Sequence, residues 1–223
     1  MKDQKTGMSQ AAAGNRNMAR RIAVLGVLCI LTGTALFFRR GRDTGVRIRP
    51  ERDYPVGEVI SYCQKDDRWE EDKLGPSGYT MARSGCLTSC IASALSTEHL
   101  TTGAGAAVTA GELNQIFSEY GVYNDQGDIV WGRIEEALPQ ARVLVASSVN
   151  GQEIEELLAQ GRYPAVKVKV GGNGAAHWVL LIGSENGEYL CMDPLEDDGK
   201  PVLLSRHGGV VYRMRCVCWG AED

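Results

Sequence analysis

The sequence predicts an α+β protein in which the helices come first and the sheet second. Apolar residues recur at helical spacing in four stretches between residues 86 and 160. From residue 163 onward, short runs either alternate apolar and polar residues or are apolar throughout, which is typical of strands. Because helices and strands occupy separate parts of the chain, we expect helices packed on a mainly antiparallel sheet.

Local signals then define the elements. Residues 54–85 are expected to be irregular, with a short strand between Val56 and Tyr62. Ser84 is the expected N-cap of a helix that begins at Cys86, and Thr109–Glu112 has the capping-box pattern of the next helix. The other expected elements are helices over 129–138 and 151–160 and strands over 143–146, 163–170, 177–182, 188–192, 202–205 and 210–219.

The charge of the chain divides near residue 53. Residues 1–53 carry 11 Lys or Arg against 4 Asp or Glu, and the rest carries 13 against 24, which together give the net charge of −4. The acidic remainder argues against nucleic acid as a partner. The basic part flanks an apolar segment, which points to a membrane.

The N-terminal part is therefore divided into a disordered basic tail (1–21), a transmembrane signal anchor (22–38) and a linker (39–53), followed by the folded domain (54–223). The anchor is an uncharged run between arginine clusters. A cleavable signal peptide is the alternative, but the run ends in bulky Leu36-Phe37-Phe38 rather than in small residues. We expect a single-pass cell-membrane protein with an extracytoplasmic domain.

Cys86 is the first candidate catalytic residue. At the N-terminus of a helix, unpaired amides and the helix dipole favour an anion, so a thiolate is stabilised there. The alternative is a buried, unreactive cysteine that shares one helix face with Cys90.

His177 and Asp193 are predicted neighbours. His177 opens the apolar strand, Asp193 follows the next strand, and Glu185–Gly187 is the hairpin turn between them. A hairpin places the start of one strand beside the end of the other, so the pair could act as a base and its orienting carboxylate. No motif surrounds His99 or His207, and we expect both to be dispensable.

These residues resemble the bacteriocin-processing (double-glycine leader) peptidases, and more closely their stand-alone relatives. The resemblance lies in Gly85-Cys86 before Thr88-Ser89, in His177-Trp178-Val179, in Met192-Asp193-Pro194 and in Gln64 with Asp66, Arg68 and Trp69. It covers about residues 55–220. Leu87 departs from the Gly-Pro step that often follows the cysteine in relatives, and the spacing from Gln64 to Cys86 is long.

The resemblance implies a papain-like fold with Cys86 as nucleophile, His177 as general base and acid, Asp193 as orienter and Gln64 as oxyanion donor. It implies a peptide or protein substrate and no cofactor. Cys86, Cys90, His177 and Asp193 are also possible zinc ligands, an alternative ranked below the triad. The five other cysteines of the domain are odd in number, which argues against a complete disulfide framework: Cys63, Cys90, Cys191, Cys216 and Cys218.

The expected function is therefore that of a membrane-anchored cysteine peptidase. One rival is a non-catalytic module that binds a peptide or a cell-wall fragment on the same fold. A second rival keeps the chemistry but acts on cell-wall cross-links or isopeptide bonds.

We predict that the mature chain in the membrane fraction retains residues 22–38, because no small-residue cleavage site ends the apolar run. Mass analysis of the membrane fraction checks this. A chain that begins near residue 39 would show cleavage instead.

Overall fold

The computed structural model describes residues 44–100 and 105–220. The predicted tail and the anchor over 22–38 lie outside the described residues. Across the described ranges, no helix has the length and apolar character needed to cross a membrane. The unit that contains the predicted domain begins at Gly45 rather than at residue 54.

Helices and strands alternate little along this unit. In chain order, the elements are β1 Val46–Arg47, α1 Met81–Ser84, α2 Cys86–Thr97, α3 Ala110–Glu119, α4 Ile134–Ala137, β2 Ala141–Val145, α5 Gly151–Ala159, β3 Ala165–Lys169, β4 Ala176–Glu185, β5 Glu188–Met192, β6 Val202–Leu203, β7 Val210–Val211 and β8 Arg213–Trp219. Short 3-10 turns cover Trp131–Arg133, Val170–Gly172 and Leu204–His207.

The sheet has six strands in the order β2-β8-β3-β4-β5-β6, with every neighbouring pair antiparallel. Strand β4 lies inside it and is buried on both faces, as its apolar sequence predicts. Leu180 and Ile182 pack with Cys90 and Ala94 of α2. On the opposite face, Val179 and Leu181 pack in the same cluster as residues of α5. The predicted α+β architecture is therefore present.

Several of the predicted elements differ in the structure. The short strand expected between Val56 and Tyr62 is absent, since the N–H groups of Ile60 and Tyr62 bond to hydroxyl groups of α2 rather than to a strand. The helix expected over 129–138 is a 3-10 turn followed by one turn of α-helix. The strand expected over 202–205 ends after two residues and continues as the Leu204–His207 turn.

Part of the predicted linker is ordered on the domain. Val46 and Arg47 form β1 and pair with β7, and Ile48 is buried in the core. Strand β7 is separated from β8 at Tyr212, whose amide donates to the carbonyl of Lys167. The expected strand 210–219 is therefore two strands that belong to two sheets.

The junction between α1 and α2 depends on a glycine. Ser84, the expected N-cap, instead ends α1, and Gly85 caps α2 without a side-chain hydrogen bond. A Cβ atom on Gly85 would lie 2.6 Å from the carbonyl oxygen of Met81 and 2.7 Å from its sulfur. Because Met81 is completely buried, it has little room to move, and only glycine fits at this position.

We expect Gly85→Ala to lower the free energy of unfolding by about 1–3 kcal/mol, since the added methyl group overpacks the junction. Urea denaturation measures this. Gly132→Ala is the control, because no atom lies within 4 Å of its added Cβ. Equal stability of the two variants would contradict this account of the junction.

Candidate active site

Cys86 is the first residue of α2 and is partly exposed. Its amide forms no backbone hydrogen bond among the described residues, as expected for the first turn of a helix. The rest of α2 is buried from Thr88 to Ser96. The Cys90 thiol donates to the carbonyl of Trp178 at 3.5 Å, which ties α2 to β4 one residue beyond His177.

His177 and Asp193 form a buried pair. Strands β4 and β5 pair with Leu180 opposite Met192, so Asp193 directly follows the last paired residue of β5, and His177 lies three residues before Leu180 at the same end of the hairpin. The distance from His177 Nε2 to Asp193 Oδ1 is 2.6 Å, and only 4% and 3% of the two residues is exposed. The contact that the hairpin turn predicts is therefore present.

The charges of this pair stabilise each other. Burial lowers the pKa of His177, but hydrogen bonds with Asp193 and Cys86 outweigh it and raise the pKa to about 9. Burial raises the pKa of Asp193, yet hydrogen bonds from His177, His207 and the Leu195 amide hold it well below its ordinary range. At neutral pH the pair is an imidazolium and a carboxylate.

The ring of His177 joins Asp193 to Cys86. Because Nε2 bonds to the carboxylate, Nδ1 is the nitrogen left for the Cys86 thiol, whose hydrogen bond contributes to the raised pKa of His177. The three residues therefore come together as thiol, imidazole and carboxylate. This is the spatial order of a nucleophile, a base and an orienting group.

His207 also lies at this site, although no sequence motif surrounds it. It is buried, and its Nε2 lies 3.0 Å from Asp193 Oδ2. His99, in contrast, is exposed. The two histidines without a motif are therefore in different environments. A signal was present in Gly208-Gly209, which follows His207 and indicates a tight turn.

Gln64 is buried against α1. Its Nε2 donates to the carbonyl of Ala82 at 2.7 Å and lies 3.5 Å from that of Met81. Its backbone amide donates to the carbonyl of Pro194, next to Asp193. Gln64 therefore connects the segment before Cys86 with the segment after Asp193, but its side-chain amide contacts main-chain carbonyls.

The residues after Gln64 form a local structure of their own. The Arg68 guanidinium pairs with Asp66 at 2.6 Å and lies over the ring of Trp69. Hydrogen bonding to Arg68 lowers the pKa of Asp66 to about 2. The Trp69 indole donates to the carbonyl of Cys63. These contacts fix the backbone on both sides of Gln64.

The other thiols are either buried or remote from the imidazole. Burial raises the pKa of Cys90 and of Cys191 well above the ordinary value. All six cysteines of the described ranges are free. Within those ranges, no three His, Cys, Asp or Glu side chains are grouped to hold a metal ion, and Cys90 bonds to the sheet instead.

A cleft of about 500 Å³ lies beside the site. Ser84 and Leu87 line it next to Cys86, and Trp178 lines it next to His177. Tyr123 and Asp128 also line it. A chain bound in this cleft would pass close to the thiol.

The fold is that of a known group of structures. A solved structure of a candidate C39-like peptidase from Bacillus anthracis is similar to this chain, with a TM-score of 0.51 and 14% identity over 77% of this chain and 100% of that one. No protein-family model and no curated protein matches the sequence. The similarity supports a papain-like peptidase fold.

We expect Asp193→Asn to lower the free energy of unfolding by about 3 kcal/mol, because a buried imidazolium loses its partner. The raised pKa of His177 gives a stabilisation that is complete below the ordinary value of 6.5 and is lost as pH rises through about 9. The lowered pKa of Asp193 gives a second stabilisation of the folded state. This stabilisation is complete above pH 3.8, the ordinary pKa of the group, and is lost as pH falls below it. The difference from wild type should therefore be largest between about pH 4 and 6.5.

Urea denaturation across this pH range tests the prediction. Asp66→Asn is the matched control, since it removes a carboxylate from a pair with the exposed Arg68. It should change stability by less than about 1 kcal/mol. A pH-independent effect of Asp193→Asn would contradict the assigned charges.

Proposed function

We propose that this protein is a cysteine peptidase that cleaves peptide bonds through Cys86, His177 and Asp193. The observation that carries the proposal is the position of His177, which bonds to Asp193 through Nε2 and leaves Nδ1 for the Cys86 thiol. A partly exposed thiol at a helix N-terminus beside a buried imidazole is the arrangement of an activated cysteine nucleophile. The fold similarity is consistent with this chemistry.

The proposed reaction begins when the Cys86 thiolate attacks the carbonyl carbon of the substrate. The tetrahedral oxyanion forms next to the Cys86 amide, which has no backbone partner in the described chain. His177 gives its Nδ1 proton to the leaving amine, and the C–N bond breaks to leave a thioester. The neutral imidazole then takes a proton from water, which attacks the thioester and regenerates the thiolate.

Gln64 is proposed as the second oxyanion donor, but it needs a local change to act. One hydrogen of its amide is used by the carbonyl of Ala82 at 2.7 Å. The contact with Met81 is 3.5 Å and therefore weak, but the two hydrogens of a planar amide turn together, so directing one toward an oxyanion also breaks the bond to Ala82. The role of Gln64 accordingly depends on the substrate being bound.

The proposed substrate is a peptide that binds in the cleft lined by Trp178 and Tyr123. A peptide cross-link of a cell wall has the same scissile group, so the chemistry applies to it equally. We further propose that residues 22–38 anchor the enzyme in the cell membrane with this domain outside. The uncharged run and its arginine flanks support the anchor.

We predict that a thiol-directed peptidase probe labels Cys86 and that His177→Ala lowers turnover by about three orders of magnitude or more. Cys86→Ala should abolish both labelling and turnover. The measurements are mass spectrometry of the labelled chain and hydrolysis of a peptide library.

His99→Ala is the control because His99 is exposed. Cys63 and Cys90 report on background labelling, since neither contributes to the pKa of His177. If His99→Ala and His177→Ala lost activity equally, the site would be wrongly assigned. A folded wild type that binds peptides without cleaving them, and whose Cys86 is not preferentially labelled, would favour the binding module.

A further inference from the structure

The proposed reaction gives His207 no direct role, yet this side chain is among the most buried polar groups of the domain, with 3% exposed. Its Nε2 bonds to Asp193 Oδ2, whereas His177 bonds to Oδ1. The two rings have their centres 5.9 Å apart. Asp193 therefore lies between two imidazoles.

The carboxylate needs more than His177 to keep its orientation. Oδ1 accepts from His177 and from the Leu195 amide at 2.9 Å. Among the described residues, Oδ2 forms its hydrogen bond with His207 Nε2 at 3.0 Å. A carboxylate held through one oxygen can still rotate, because its terminal torsion is soft. The bond to Oδ2 removes this freedom.

The backbone holds His207 in place. His207 is the last residue of the Leu204–His207 turn, and Gly208 then takes a left-handed conformation with φ of 79°. A Cβ atom on Gly208 would lie 3.0 Å from the Cα of Gly172, in the loop that precedes β4. The turn that carries His207 is thus packed against the loop that leads to His177.

The proton of His207 can be assigned from these contacts. An ionised carboxylate only accepts hydrogen bonds, so the hydrogen lies on Nε2. Nδ1 is buried and has no partner in the described part of the chain. The bond to Asp193 is therefore the polar contact that orients the ring.

We propose that His207 is a positioning residue, which donates from Nε2 to Asp193 Oδ2 and fixes the carboxylate so that Oδ1 faces His177. This role rests on the proposed function, since it concerns the same triad. The charged or titratable groups that face His177 are Cys86 from α2, Asp193 from the end of β5 and His207. On β3, the residue opposite His177 is the uncharged Val168.

The test compares His207→Phe, which keeps a ring but loses the donor, with His207→Gln, whose amide nitrogen can replace Nε2. The first readout is an NMR titration of the histidine rings, which is tractable because the chain has 3 histidines. The pKa of His177, about 9 in the wild type, should fall toward 6.5 in His207→Phe and stay near 9 in His207→Gln. His99→Gln is the control and should change nothing.

The second readout is peptide hydrolysis. His207→Phe should lower kcat by about 10–100-fold, the range for groups that orient a catalytic ligand or base, with little change in KM. His207→Gln should recover most of this loss. A purely structural role would lower the amount of folded protein without moving the titration of His177.

Two outcomes would overturn the proposal. One is an unchanged titration of His177 in folded His207→Phe; the other is a shift to higher pH, which would mean that His207 acts by withdrawing charge from Asp193. If His207→Phe fails to fold, His207→Asn takes its place, since it is polar like glutamine but too short to reach Oδ2. Because the titration does not require turnover, an inactive protein with the expected shifts would refute the peptidase and leave the role of His207 standing.

Discussion

The buried ion pair between His177 and Asp193 is the interaction on which the rest of the site depends. Removing two charges from water costs several kcal/mol for each ion unless further hydrogen bonds compensate. Here the Asp193 carboxylate accepts hydrogen bonds from His177, His207 and the Leu195 amide. The pair also depends on the hairpin of β4 and β5, because His177 lies on β4 and Asp193 directly follows β5. The central strand is thus both the core of the sheet and the support of the site.

The thiol is positioned by a second set of constraints, which are steric. Gly85 lets α1 approach α2 so closely that a side chain would collide with Met81. Cys90 then fixes the helix to the carbonyl of Trp178, adjacent to His177. These two constraints lie on either side of Cys86 and limit where the first turn of α2 meets the imidazole. The small residues around Cys86 are a packing requirement as much as a chemical one.

The sequence was sufficient for those parts of the fold that depend on local patterns. The capping box at Thr109 is present with both of its hydrogen bonds, and β5 has the predicted limits. The contact between His177 and Asp193 was predictable because a hairpin brings the start of its first strand close to the end of its second.

What the sequence could not provide depends on distant partners. His207 has no motif, and its importance arises only when the 3-10 turn folds back on Asp193. The stretch from Val56 to Tyr62 was apolar enough for a strand, but the hydroxyls of α2 satisfy its amides. Residues 46–48 had the composition of a linker and became ordered by pairing with β7. The side chain of Gln64 bonds to carbonyls that are 17 and 18 residues away.

The energetics of the pair also bear on the choice between an enzyme and a binding module. Replacing a buried ion pair by apolar side chains of similar volume is often neutral or stabilising, so the pair is not needed to hold the fold together. A module that only bound peptides would gain nothing from an imidazolium directed at a partly exposed thiol. The arrangement suits a reaction in which Cys86 attacks the substrate while His177 delivers a proton to the leaving group and later recovers one. The cost of burying Asp193 among its three donors is therefore consistent with the chemistry proposed for Cys86.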